Sequence, residues 1–274
     1  MKRIIVLGGI VAALGAVPAA AQEIGVDAAF NSRYEWRGVT LTNNWVVQPD
    51  AWVSFPVGAA SITVGGWGNV ELGAYDDPQD DISENGTGGA GLTEFDWWGE
   101  VAFPVGIATL TGGATGYIYT GDKNDTGFLN LTSDANTTEI YGKVDLGVML
   151  NPSFAIWYDV DNIKGAYMEF GVSKGVPLGA TELTFGALMG LSAGQGVDDD
   201  PSANFKDDGV THFDISAEAS FNAGPFAITP TVHMILGQDD WTKWSTPTDT
   251  DEDVKFWFGA SIGWSKAFGG GEEE

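Results

Sequence analysis

Three charges stand at alternate positions near the start of the chain, in Asn31-Ser32-Arg33-Tyr34-Glu35-Trp36-Arg37-Gly38-Val39-Thr40-Leu41-Thr42. In an extended chain alternate side chains share a face, so Arg33, Glu35 and Arg37 point one way, with two guanidiniums flanking one carboxylate. Such a stripe suits a constriction, where it sets a lateral field, or a purely structural ion ladder. The same phase of later apolar/polar alternations carries Asp50, Glu71, Glu94, Asp96, Glu100, Lys143 and Asp145. It also carries Trp52, Trp67, Trp98, Tyr141, Trp157 and Trp257. Their flat faces would stack sugars or nucleosides while the acids accept hydrogen bonds from the hydroxyls; the alternative is packing that fills a narrow interior. Catalysis has less support. A Ser-His or metal-assisted hydrolase needs a positioned His. Only His212 and His233 exist in the chain. The expectation is a protein with no catalytic residue, no cofactor and no resident metal.

Alternation of this kind needs strands. Val254 to Phe268 shows it plainly: Val254, Phe256, Phe258, Ala260, Ile262 and Trp264 form one phase, and Lys255, Trp257, Gly259, Ser261, Gly263 and Ser265 the other. Period two means a strand between two environments. A soluble sandwich would bury the charged phase, and unpaired buried charge costs several kcal/mol, roughly. A membrane barrel wets that phase in its lumen and turns the apolar phase to lipid. The terminal segment is also similar to the insertion signal that ends bacterial outer-membrane barrels, through Gly259, Ile262, Trp264 and Phe268; Trp257 and the tail Gly269 to Glu274 depart from it.

Alternation recurs twelve times, over 24–38, 46–55, 60–72, 93–103, 107–120, 137–149, 153–161, 165–175, 181–193, 211–222, 226–237 and 253–268. Short turns rich in Gly, Pro and Asn (Pro56–Ala59, Pro104–Gly106, Leu150–Pro152, Val176–Ala180, Ala223–Pro225) alternate with longer polar segments at 39–45, 73–92, 121–136, 194–210 and 238–252. Asn162-Ile163-Lys164 is short where a long connection is due. The fold class expected is all-β: an antiparallel transmembrane β-barrel of about 12 strands in an up-and-down meander.

Composition narrows the setting. The 274 residues include no Cys and 11 Trp, and carry a formal charge of −26. Such acidity repels phosphates, so nucleic acid is not an expected partner. Lys2 and Arg3, the apolar run Ile4 to Val17 and Ala19-Ala20-Ala21 read as a signal peptide over 1–21. The barrel then occupies 22–268, and 269–274 is an acidic tail. Acid clusters fall in the long segments: Asp76-Asp77, Asp80-Asp81, Asp198-Asp199-Asp200, Asp207-Asp208, Asp239-Asp240 and Asp249 to Asp253. They read as solvated surface or as sites for divalent cations.

The motif Ser32, Tyr34, Trp36, Arg37, Gly38 and Thr40 resembles the opening strand of the TorF family of outer-membrane porins. Gln48-Pro49 and Gly66-Trp67-Gly68-Asn69 with Glu71 are similar to the next family elements. The likeness covers 24–72; beyond that it is architectural and shared with Tsx-like channels. It implies a small 12-stranded porin whose solute is unassigned. The function expected is passive diffusion of small cationic or neutral solutes through an acidic, aromatic-lined lumen. The partners expected are outer-membrane lipid, the solute, divalent cations at the loops and the barrel-assembly machinery. Two other readings stay open: a structural or adhesive barrel, and a barrel lipid hydrolase.

Overall fold

The computed structural model describes residues 22–72, 91–119, 136–179, 181–195, 205, 207–237 and 253–268. Fifteen strands run in chain order: β1 Gln22–Asn31, β2 Tyr34–Trp36, β3 Val39–Thr42, β4 Val46–Val57, β5 Ala60–Glu71, β6 Gly91–Val105, β7 Ala108–Tyr119 and β8 Thr137–Leu146. Then come β9 Ser153–Asp159, β10 Ala166–Leu178, β11 Thr181–Ala193, β12 Gly209–Ala219, β13 Phe221–Ala223, β14 Phe226–Leu236 and β15 Val254–Phe268. Thirteen form one antiparallel sheet in which each wall strand pairs with its chain neighbours, and β1 pairs with β15. Residue Ser220 interrupts β12, and β13 continues it along β14. The wall is therefore a closed barrel of twelve staves in meander order, as the alternation predicts. The seam is complete: Gln22 faces Phe268 and Asn31 faces Gly259, with an unbroken register between.

One end holds Gln22, Phe268 and the tight turns. Gly58, Gly106 and Gly224 open two-residue turns there, each with φ between 61° and 64°. Glycine tolerates that conformation, and its twist matches paired strands. The opposite end carries the longer connections. The short one after β9 is organised by Asp159, which is fully buried. Its Oδ1 accepts the backbone N–H groups of Asp161, Asn162 and Ile163 at 3.0, 2.9 and 3.0 Å, so one carboxylate closes the turn. Residues 1–21, expected to be a signal peptide, the segment 269–274 and the acid clusters at 76–81, 198–200, 239–240 and 249–252 lie outside the described residues.

The two faces separate as the phases require. Outside stand Val26, Phe103, Ile140, Phe170, Phe185, Phe226, Phe256 and Phe258, with Phe256 62% and Phe258 56% exposed. A soluble monomer seldom exposes more than a few hundred Å² of contiguous apolar surface; here the apolar face runs round the wall. Among the described residues the wall strands place two charges on that phase, Lys174 and Lys266, both toward the turn end. There their amines reach the interface along apolar stems. This exterior is that of a membrane-embedded barrel, and extraction should require detergent. Unheated protein should migrate apart from the boiled form on a detergent gel; recovery as a soluble monomer without detergent would exclude the assignment.

The first predicted strand, 24–38, is the one that differs. The wall strand ends at Asn31. Ser32 stops the ladder: its N–H donates to the Phe258 carbonyl at 2.9 Å, and its hydroxyl accepts the Phe258 N–H at 3.1 Å. The chain then turns inward. Glu35 consequently lies on β2 of a separate two-stranded sheet of β2 and β3, with Arg33 just before that strand and Arg37 in the turn after it, and none of the three belongs to the barrel wall.

Candidate functional site: a hairpin folded into the lumen

Strands β2 and β3 pair through Glu35 with Thr40 and Trp36 with Val39. Arg37 and Gly38 make the turn, with φ of 51° and 83°. Two positive φ values in a two-residue loop define the tightest hairpin turn. Gly38 is also fixed by packing, since a Cβ there would fall 2.6 Å from the His212 ring. The tip therefore rests on β12, three staves round the wall from β1, where the hairpin began.

The tip is held by Arg37. Its two terminal nitrogens donate to Glu139 on β8 at 2.7 and 2.6 Å, and Tyr117 on β7 donates to the same carboxylate at 2.8 Å. The guanidinium lies 4.4 Å from the Trp36 ring, 4.3 Å from Tyr167 and 5.3 Å from Trp157. A bidentate pair stacked between aromatic faces suits the planar guanidinium. Burial disfavours the Arg37 charge, but Glu139 outweighs it and holds the group above its ordinary pKa.

Further contacts fasten the hairpin's length. Tyr34 donates to Glu94 on β6 at 3.1 Å and packs on Trp67 of β5 at 5.5 Å. Thr42 donates to Glu71 on β5 at 2.7 Å. Glu35 accepts from Thr40 at 2.6 Å and from Arg33 at 3.4 Å, while Lys255 on β15 lies 3.9 Å away. Lys255 itself donates to Thr40 at 3.0 Å and to the Gly38 carbonyl at 3.3 Å. Burial pushes the Glu35 carboxyl up from its ordinary range, with Lys255, Thr40 and Arg33 pulling the other way. Phe205, from the connection between β11 and β12, is fully buried and stacks on Trp36 and Tyr167 at 6.4 and 6.0 Å. With Val39, Leu41 and Trp157 these rings form an apolar cluster inside the barrel. The lumen thus contains a small core of its own.

The expected site residues divide into two groups. Glu71, Glu94 and Asp96 are buried at the hairpin's flank, at 0%, 1% and 7% exposure. Asp50, Glu100 and Lys143 face the lumen toward the turn end, and Asp145 lies near that end's rim, paired opposite Ser153. Asp50 stands opposite Asp27 across the β1–β4 pair. Tyr141 donates to Glu100 at 2.9 Å. Lys143 lies 4.8 Å from the Tyr141 ring and 5.8 Å from Trp157. The rings do not form one continuous track. Trp52 and Trp98 lie flat on the wall over Gly25 and Gly65, where an added Cβ would come within 2.3 and 2.5 Å of the indoles. Trp67 packs on Tyr34, and Trp257 stacks on His233 at 3.9 Å. Tyr141 and Trp157 adjoin each other at 6.3 Å under the hairpin tip. Among the described residues no group of three or more His, Asp or Glu side chains is arranged to hold a metal ion.

Sequence reasoning did not single out Glu139, Tyr34, Tyr167, Lys255, His212 or Phe205 as partners of one another. One signal was available: Arg37-Gly38 sits between YEW and VTLT, a two-residue turn between short alternating runs.

No family model matches the chain, and no curated protein does. Several solved structures share the barrel architecture at low identity. LpxR from Salmonella typhimurium is 8% identical, with a TM-score of 0.48, covering 88% of this chain and 99% of its own. An outer membrane channel from Pseudomonas putida F1 is 12% identical, with a TM-score of 0.46 over 92% of this chain and 97% of its own. The outer membrane phospholipase of Salmonella typhi is 8% identical, with a TM-score of 0.40 over 88% and 90%.

Proposed function

We propose that this barrel is an outer-membrane channel of a Gram-negative bacterium, passing small cationic or neutral solutes around a constriction made by the β2–β3 hairpin. The observation that carries the reading is the charge of the lumen between the hairpin and the turn end. Asp27, Asp50, Glu100, Glu169 and Asp214 face it, with Lys143 the base on the same wall segment. Fixed negative charge in a low-dielectric wall concentrates cations and excludes anions. The likeness of Ser32 to Thr40 to the TorF opening strand agrees with it. Insertion would use the barrel-assembly machinery, and solutes would stack on Tyr141 and Trp157.

Purified protein in planar bilayers tests this. Under a KCl gradient the reversal potential should report K⁺ preferred over Cl⁻; an anion-selective pore would contradict it. Phe205 stacked on the hairpin favours a second reading, a closed barrel that displays its loops and their divalent-cation sites. Absence of any conductance step would support that scaffold instead. A lipid hydrolase fits less well, because both histidines lie on the lumen phase, away from acyl chains.

A further inference from the structure

The hairpin accounts for His212, against which Gly38 packs, but not for His233. His233 lies on β14, two residues beyond Thr231, and both point into the lumen beside Asp214 of β12. The His233 Nδ1 is 2.8 Å from one Asp214 oxygen and 3.1 Å from the other. Its Nε2 is 3.0 Å from the Thr231 hydroxyl. A carboxylate only accepts, so Nδ1 carries the proton and Nε2 is left to accept from Thr231. Trp257 lies parallel to the imidazole at 3.9 Å and 7°, which fixes the ring plane. The His233 and Asp214 side chains are each 20% exposed, so lumen water and small solutes reach them. Hydroxyl, base and orienting carboxylate in hydrogen-bonded series are the signature of an activated nucleophile.

We propose that Thr231, His233 and Asp214 form an acyl-transfer site facing the lumen, with small activated esters as its substrate class. Thr231 Oγ attacks the ester carbonyl carbon while its proton passes to His233 Nε2, and Asp214 stabilises the imidazolium. The tetrahedral adduct expels the alcohol oxygen, which takes the proton from Nε2, and Thr231 is left acylated. Water then attacks the acyl carbon, giving its proton to Nε2. Collapse releases the carboxylic acid and returns the proton to Thr231. The backbone groups of β14 around Thr231 are engaged in ladders with β12 and β15. Oxyanion stabilisation is therefore left to lumen water, which limits the site to activated acyl donors and slow turnover. Phospholipid is outside this class, because the site faces away from the bilayer.

The test is labelling of the detergent-solubilised barrel with a fluorophosphonate, located by peptide mass spectrometry, alongside hydrolysis of p-nitrophenyl acetate. The label should fall on Thr231. His233→Gln should slow labelling by about 10²-fold or more, the scale of a positioned base. Asp214→Asn should slow it and displace its pH profile, which a structural role alone would not do. Thr231→Ser should retain the reaction, and Thr231→Val should abolish it. Heat-modifiable migration shows that each variant has folded. Absence of label on Thr231, or labelling at the wild-type rate in folded His233→Gln, overturns the proposal.

Discussion

Replacing Arg37 with Ala should raise the conductance of the barrel several-fold. The guanidinium is the one charge of the hairpin tip, and it reaches β8 by two hydrogen bonds of 2.7 and 2.6 Å. Removing one member of a buried pair costs about 3–5 kcal/mol, because the other is left charged and unsolvated. Glu139 is 1% exposed, so in Arg37→Ala it must gain water, and the direct route is for the hairpin to lift. About 3 kcal/mol shifts such an equilibrium by roughly two powers of ten. Glu139→Gln should act in the same direction. The double variant should fall nearer to wild type than either single one, since no stranded charge remains and Trp36 still stacks on Phe205. Single-channel recording measures all three. Unchanged conductance in both single variants would mean that the hairpin does not set the width of the path.

Selectivity should respond to a different set of acids. Converting Asp27, Asp50 and Glu100 together to amides should remove much of the K⁺ preference without closing the pore. Asp27 and Asp50 face each other across the β1–β4 pair, and Glu100 lines β6 beside Tyr141. The effect should be largest in dilute salt, because the Debye length falls from about 10 Å at 0.1 M to about 3 Å at 1 M. Glu94→Gln with Asp96→Asn should change selectivity less, since both carboxylates are buried beside Tyr34 and not bathed by the path. Reversal potentials of the two sets, at both salt concentrations, decide the matter. Equal shifts would return Glu94 and Asp96 to the conducting wall.

The amide ladder beside the hairpin explains why this part of the wall tolerates so much polarity. Asn31 donates to Gln48 at 2.8 Å, Gln48 to Asn69 at 3.1 Å, and Asn69 to Thr93 at 2.8 Å, crossing four adjacent staves. Buried amides are stable only when partnered in this way. Asn31, Gln48 and Asn69 each stand in a motif of the sequence, but nothing there links them with Thr93 into one ladder.

Strand number, strand phase and the order of short and long connections were determined by the sequence itself. A strand between lipid and water must alternate, and every stave from β4 to β15 falls within a few residues of its predicted span. The same alternation puts Asp50, Glu100 and Lys143 on the inward phase, because phase is a local property of the backbone. Phase put Arg33, Glu35 and Arg37 inside the barrel and in ion pairs, as they are, but on a wall strand that in fact ends at Asn31: a hairpin has period two as well, so alternation cannot tell a strand that continues along the wall from one that turns off it. What turned the chain inward was long-range chemistry: Ser32 bonded to Phe258, and Arg37 drawn to a carboxylate 102 residues away. Closure of the barrel brings those groups together. The pairing of Arg37 with Glu139, the stacking of Phe205 and the line from Asp214 through His233 to Thr231 are therefore features that only the tertiary structure decided.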